Sequence, residues 1–280
     1  LSDRSLTGRS FFGRSACPNC QKKLHFFDLI PIFSYLFLKG KCRYCKNEIN
    51  KEYILVELGM GFLIGALFFN FYPPPLEGDY NQWISYIFGI SFRSFFITVL
   101  IILLLTDLKK MFIPDRIVLP SIVIGLFSLT FFTVYKIAYL YFSLVKDPVG
   151  VFLLPPKSDY FIRHAYMSAE PFIWGLGMAI LIGGFFLFLF AITKGRGMGG
   201  GDVKLGAFLG LALGFPQSLV ALILSFLSGA AVSIGLIILG KKHFGQSIPF
   251  GPFLVLGALI ALFFGNQIVS WYLSLSINGA

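Results

Sequence analysis

Six long apolar stretches constrain this chain more than any other feature: residues 53–72, 84–106, 117–135, 171–193, 218–240 and 251–273. Crossing a bilayer takes roughly 20 residues of helix, and each stretch is close to that length. A seventh, 203–215, is shorter. The runs are continuous and do not alternate in polarity, so membrane-spanning strands are a poor reading. Only 13% of the residues are charged and 56% are hydrophobic, whereas about 25% charge is usual in a soluble domain. The expected fold is an all-α polytopic membrane protein, a helical bundle of about seven transmembrane segments.

The formal net charge of +10 would suggest nucleic acid in a soluble protein. Here orientation accounts for it, and no nucleic-acid partner is expected. Residues 1–52 hold ten Lys/Arg, and the loops 107–116, 194–204 and 241–250 hold three, three and two. The loops 73–83 and 214–217 hold none. Basic loops face the cytoplasm, so the N-terminal segment and those three loops are predicted to lie inside. The alternation works only if 203–215 crosses as a short helix of roughly 20 Å, accommodated by its neighbours or a thinned bilayer. Residues 1–16 are polar and basic, unlike a cleavable signal peptide, and the opening Leu1 leads to the expectation of a preceding piece. Pro73-Pro74-Pro75 and residues 146–170 read as external loops, within a longer insert at 136–170.

All four cysteines lie in the N-terminal segment, as CPNC (Cys17, Cys20) and CRYC (Cys42, Cys45), with 21 residues between the pairs. Each C-x-x-C forms a tight turn that aims two thiolates at one point, and two such turns complete a closed tetrahedral zinc site. A redox role lacks a βαβ context. A tetrathiolate has no open position for substrate, so the metal is expected to be structural. The domain boundaries that follow are a cytoplasmic zinc-binding domain at 1–52 and a transmembrane domain at 53–280. Between the pairs, FFDLIPIFSYLFLKG (26–40) is apolar but too short to span. It reads either as an interfacial or bundle-packed segment or as the core of the zinc module.

Acids at membrane depth are costly and usually carry a role. Glu57, Asp107, Asp115 and Asp202 are such acids here. Asp107 ends the run IILLLTD, and Asp202 opens the short apolar run behind GRGMGGG. By the charge rule both face the cytoplasm, at similar depth although 95 residues apart. Two carboxyls so placed suit an aspartyl protease, in which proximity forces the two titrations apart. The glycines before Asp202 would let backbone or substrate approach closely. The bland alternatives are Asp202 as a helix N-cap and Asp107 as a membrane-boundary acid.

The motifs together are more specific than any one alone. MGGGDVKLGAFLG (198–210) carries a G-x-G-D signature, with Gly199, Gly201 and Asp202 at its positions. DLKKMFIPDRIVLP (107–120) resembles the first-aspartate motif of type IV prepilin peptidases. RSACPNC with IPIFSYLFLKGKCRYC resembles the zinc-ribbon domain of that family, and IPFGPFLVLGALIALFFG (248–265) its last transmembrane segment. The resemblance covers nearly the whole chain, in order. It implies cleavage of the basic leader from prepilins or pseudopilins at the cytoplasmic face of the bacterial inner membrane. In bifunctional members the new N-terminal residue is then methylated with S-adenosylmethionine, and the products serve type IV pili or type II secretion.

Matched motif to motif, Asp107 and Asp202 take the catalytic roles and Cys17, Cys20, Cys42 and Cys45 hold Zn2+. Gly199, Gly201 and Lys204 would support the substrate site. Lys204 reads either as an electrostatic partner of the acids or as a positive-inside residue, and Asp115 as the cap of a helix starting near Pro114. Glu57 is the candidate for orienting the new amine in methyl transfer, against the alternative of a bundle acid paired with Arg93. The expected partners are prepilins or pseudopilins and membrane lipid, with anionic headgroups facing the basic N-terminal domain and the leader finding Asp28, Glu48 or Glu52. Two rivals stay open: a G-x-G-D intramembrane protease with other substrates, and a transporter or scaffold that uses the aspartates as ion or proton ligands.

Overall fold

The computed structural model describes residues 15–30, 32–75, 77–195, 198–240 and 249–278. Among them are eight α-helices: α1 (Phe33–Phe37), α2 (Lys51–Asn70), α3 (Tyr80–Lys110), α4 (Asp115–Lys146), α5 (Tyr160–Thr193), α6 (Gly200–Leu213), α7 (Gln217–Ile238) and α8 (Gly251–Asn278). Two 3-10 turns, Phe26–Leu29 and Gly150–Leu153, complete the regular structure, together with isolated bridges and no named strand among the described residues. Six helices, α2 to α5, α7 and α8, are long and apolar enough to cross a membrane. Their outward faces carry large apolar side chains such as Phe62, Phe127 and Ile180, which lipid would solvate and water would not.

The seventh expected segment forms as α6, a helix of 14 residues. It begins at the N-cap Gly199 and is stopped by Gly214, which has φ +64° and returns its N–H to the Gly210 carbonyl. In spite of its length it is the most enclosed element. Leu205, Phe208, Leu209 and Leu211 are all buried, and the helix packs against α4, α5, α7 and α8. Close approach to α5 requires glycine. A Cβ on Gly206 would overlap the Phe186 ring, and one on Gly210 would overlap the Met178 carbonyl.

Residues 136–170 are largely helical, which corrects the reading of 146–170 as a loop and of 136–170 as an insert between spans. α4 runs on to Lys146 and α5 begins at Tyr160, leaving only Asp147–Asp159 outside helices α4 and α5. Pro171 lies inside α5, as Pro120 lies inside α4. Long membrane helices tolerate such interior prolines because neighbouring groups satisfy the freed carbonyl.

The chain divides into two compact units, one ending at Ile101 and the other beginning at Ile102, within α3. In the first, two cysteine turns and α1 precede α2. In the second, α5 packs on α6 and α4, and α7 on α8. Lys241 and Lys242, used above for orientation, lie outside the described residues, as do the three arginines of residues 1–14.

Candidate functional site

The two cysteine turns are built alike. Cys17 N–H donates to the Lys22 carbonyl and Gln21 N–H to the Cys17 carbonyl. In the same way Cys42 N–H donates to Asn47 and Lys46 N–H to Cys42, all within 2.9–3.0 Å. Gln21 and Lys46 each take φ +55°, which reverses the chain just behind the second cysteine. Isolated antiparallel bridges, Ala16 to Lys23 and Lys41 to Glu48, close each knuckle. The four sulfurs consequently lie within 4.8 Å of one another, with Cys17 and Cys45 Sγ 3.9 Å apart. A tetrahedral zinc with Zn–S of about 2.3 Å needs sulfurs about 3.8 Å apart, so the donor set fits this ion with a small contraction.

Two of the thiols are pushed in opposite directions. The Cys20 backbone N–H, with that of Asn19 and against the effect of burial, lowers Cys17 to about 7. At Cys45 the Asn47 backbone pulls down, while burial and the sulfurs of Cys42, Cys20 and Cys17 push up, to about 11. One thiol thus ionises readily and another resists a further negative charge beside its neighbours, a conflict that a divalent cation removes. Asp28 braces the module. Its side chain is only 4% exposed and meets Arg43 Nε at 2.8 Å, while its Oδ2 accepts the His25 N–H. That engagement leaves it poorly placed as a dock for a basic leader.

Among the described residues of the second unit, Asp107 and Asp202 are the buried acids, 6% and 9% exposed. Asp202 sits at the third position of α6, where its Oδ2 accepts the N–H of Gly199 at 3.3 Å. It is not the N-cap, as one sequence reading had it; Gly199 is. A carboxylate in a first helical turn is favoured by the dipole. Asp107 lies in the last turn of α3, where the dipole disfavours it. Opposite stands the N-terminus of α8: the Gly251 amide approaches the Asp107 carboxyl, yet Oδ2 completes no hydrogen bond. A Cβ on Gly251 would overlap that oxygen. The two carboxyls lie within electrostatic reach of each other.

The remaining candidates separate into different surroundings. Next to Gly199 there is room, with Asp202 Oδ2 the nearest atom at 3.7 Å to where a Cβ would stand. The corresponding space at Gly201 is filled by the Ile113 side chain, whose Cβ would lie 2.8 Å away. Lys204 Nζ meets Asp115 Oδ1 at 2.5 Å, so its partner is the first residue of α4 and not Asp202. Asp115 itself follows the N-cap Pro114 and makes no cap through its own side chain to that position. Glu57 Oε2 accepts the Ile32 N–H at 2.8 Å, and Arg93 stacks on the Phe71 ring, 4.0 Å from its centroid, so the expected Glu57–Arg93 pair is not formed. Gly251 was missed as a contributor to the Asp107 site, although IPFGPF carried it in a quoted motif. Nothing in its local spacing points to Asp107, 144 residues earlier.

Comparison with known proteins gives a consistent answer. The bacterial peptidase A24 N-terminal domain matches residues 5–71, and the type IV leader peptidase family matches residues 94–234. A prepilin leader peptidase/N-methyltransferase of Aeromonas salmonicida (strain A449) is 33% identical over 263 residues, 93% of this chain and 75% of that protein. The protein of the same name from Bacillus subtilis (strain 168) is 30% identical over 270 residues, 95% of this chain and 87% of its own. No solved structure matches the chain. With both domains matched in order and relatives aligned over most of their length, the chain belongs to the type IV leader peptidase family.

Proposed function

We propose that this protein is an intramembrane aspartyl endopeptidase that cleaves the leader from type IV prepilins or pseudopilins at the cytoplasmic membrane face, and then methylates the new N-terminus. The observation that carries the peptidase reading is the pair of buried carboxyls, Asp107 and Asp202, in electrostatic reach of each other with Asp107 Oδ2 left without a hydrogen-bond partner. One ionised carboxylate takes a proton from the attacking water. The other, protonated, donates to the scissile carbonyl and stabilises the oxygen that gains charge. The proton taken from water then passes to the leaving amine. The titration belongs to the pair and not to either residue.

The domain boundaries follow the same proposal: residues 1–52 as a cytoplasmic zinc module and 53–280 as the transmembrane peptidase, in the bacterial inner membrane. Cys17, Cys20, Cys42 and Cys45 would hold a structural Zn2+, which ties the two knuckles together and leaves no ligand position for substrate. Gly199 leaves room beside Asp202 for an extended substrate backbone, and Gly201 and Lys204 fix the entry to α6 through Ile113 and Asp115.

For methylation, S-adenosylmethionine would supply an electrophilic methyl group to the free α-amine. Among the described residues there is no sheet of the Rossmann kind, so the donor's site is of another type. Glu57 commits Oε2 to Ile32; its part in orienting the amine then falls to its other oxygen.

The test mixes purified protein, Asp107→Asn and Asp202→Asn with a full-length prepilin in detergent. Loss of leader removal in both variants supports the pair. Unimpaired cleavage in either one takes that residue out of the mechanism.

A further inference from the structure

The apolar run between the cysteine pairs folds back as a 3-10 turn, Phe26–Leu29, and α1, Phe33–Phe37. Neither forms the core of the cysteine module. Phe26 is 77% exposed and Phe37 84%, and Phe27, Leu29, Phe33 and Leu36 are exposed as well. Six large apolar side chains on a dozen residues form a patch far from ordinary for a surface facing water. Exposed Lys22, Lys23, Lys39 and Lys41 flank it in sequence.

One hydrogen bond ties this segment to α2. The Ile32 N–H, between the two turns, donates to Glu57 Oε2 at 2.8 Å. Glu57 lies six residues into α2, which begins at Lys51 and is long and apolar enough to span. Six residues at 1.5 Å each put it about 9 Å along the helix. Amphipathic segments at a membrane surface bury their apolar face roughly 5–10 Å into the headgroup and acyl boundary. Lysines flanking such a face meet anionic headgroups, which supplies the charge complement.

We infer that the hairpin 26–37 is a membrane-inserted anchor: its phenylalanines enter the lipid of the leaflet from which α2 starts, and Glu57 holds it at that depth. The occupant of the patch is the bilayer, with anionic lipid favoured by the flanking lysines. Glu57 acts here as a positioning residue, satisfying a backbone N–H that would otherwise lie unpaired in an apolar setting. The anchor would keep the cysteine module at the lipid surface, and it does not rest on the proposed function.

The test uses the full chain in nanodiscs containing phosphatidylglycerol, with the photoreactive benzoylphenylalanine replacing Phe27, Phe37 or, as a control, the exposed Asn47. Mass spectrometry reads the adducts, and bound zinc reports that the module is folded. Lipid adducts at Phe27 and Phe37 several-fold above those at Asn47 are expected. Adducts mainly to peptides of residues 102–280, or a lipid yield equal to that of Asn47, would overturn the anchor. Glu57→Ala is expected to cut the lipid yield at Phe37 several-fold, with Glu57→Gln retaining most of it; equal yields in all three remove Glu57 from the account. Prepilin cleavage by the same samples is scored separately, so failure of the lipid contact and failure of the peptidase reading are distinct results.

Discussion

The cysteine cluster and the aspartate pair each bring titratable side chains within electrostatic reach of one another, by opposite means. The four thiols are gathered by two short turns whose spacing, hydrogen bonds and positive-φ residue repeat from Cys17–Lys22 to Cys42–Asn47. The two aspartates come from helix ends 95 residues apart, and the packing of α6 among α4, α5, α7 and α8, with the local Gly199 N–H, sets where Asp202 points. A site made of local turns survives distortion elsewhere but depends on its ion. A site made by helix packing answers to every close contact behind it. The difference can be broken experimentally from either side.

The largest effect is expected at the cysteines. Structural zinc in small thiolate sites is worth about 10–16 kcal/mol in apparent folding energy, so Cys17→Ser or chelation should abolish zinc binding and open the module to protease. Limited proteolysis with metal analysis checks this. Because Cys45 resists ionisation while Cys17 does not, zinc uptake near neutral pH should release protons, and affinity should fall as pH falls. Leader cleavage should be affected far less than zinc content; an equal loss would mean that the two regions do not act separately.

Next in size is the aspartate pair. Asp107→Asn and Asp202→Asn should each lower kcat for leader removal by about 10³-fold or more, with zinc content unchanged. The double variant should be little worse than either single one, since groups that act as a unit are not additive.

Legibility followed the same division. The knuckles could be read from C-x-x-C spacing alone, because the chemistry is local. The spans could be read from hydropathy, which sees burial in lipid but not helix ends: the extensions of α4 to Lys146 and of α5 back to Tyr160 escaped it, masked by polar residues at the ends. The expectation that Asp107 and Asp202 share one depth followed from loop charge. Their surroundings did not. The Ile113 side chain beside Gly201, the Lys204–Asp115 pair and the Gly251 backbone over Asp107 all arise from tertiary approach, for which a single sequence holds no periodic signal.

Gly251 gives the third test. A methyl there would overlap Asp107 Oδ2, and a displacement near 1 Å at a reacting group costs roughly 10²-fold. Gly251→Ala should therefore lower kcat by about that factor with little change in KM. A thermal-shift comparison locates the cause. If the clash is with the carboxyl, the Tm lost in Gly251→Ala is regained in a background of Asp107→Ala. The same loss in both backgrounds would assign Gly251 to general packing.

The smallest effect is expected at Lys204 and Asp115, and its smallness is informative. The pair joins the second turn of α6 to the start of α4 at 2.5 Å, but its side chains are 35% and 54% exposed. Exposed pairs contribute about 0.2–1 kcal/mol. If Lys204 serves only to tie α6 to α4, Lys204→Met and Asp115→Asn should each lower kcat/KM by less than about fivefold. The double variant should equal the single ones, since either removes the whole tie. If instead Lys204 contributes charge directly to the aspartates, Lys204→Met should shift the pH–rate profile while Asp115→Asn leaves it in place. Salt discriminates further: the tie weakens as exposed charges are screened, so the wild type at high ionic strength should approach the variants. A packed site that lost only this much on losing the Lys204–Asp115 pair would owe its geometry to Ile113, Phe186 and the glycines that admit them.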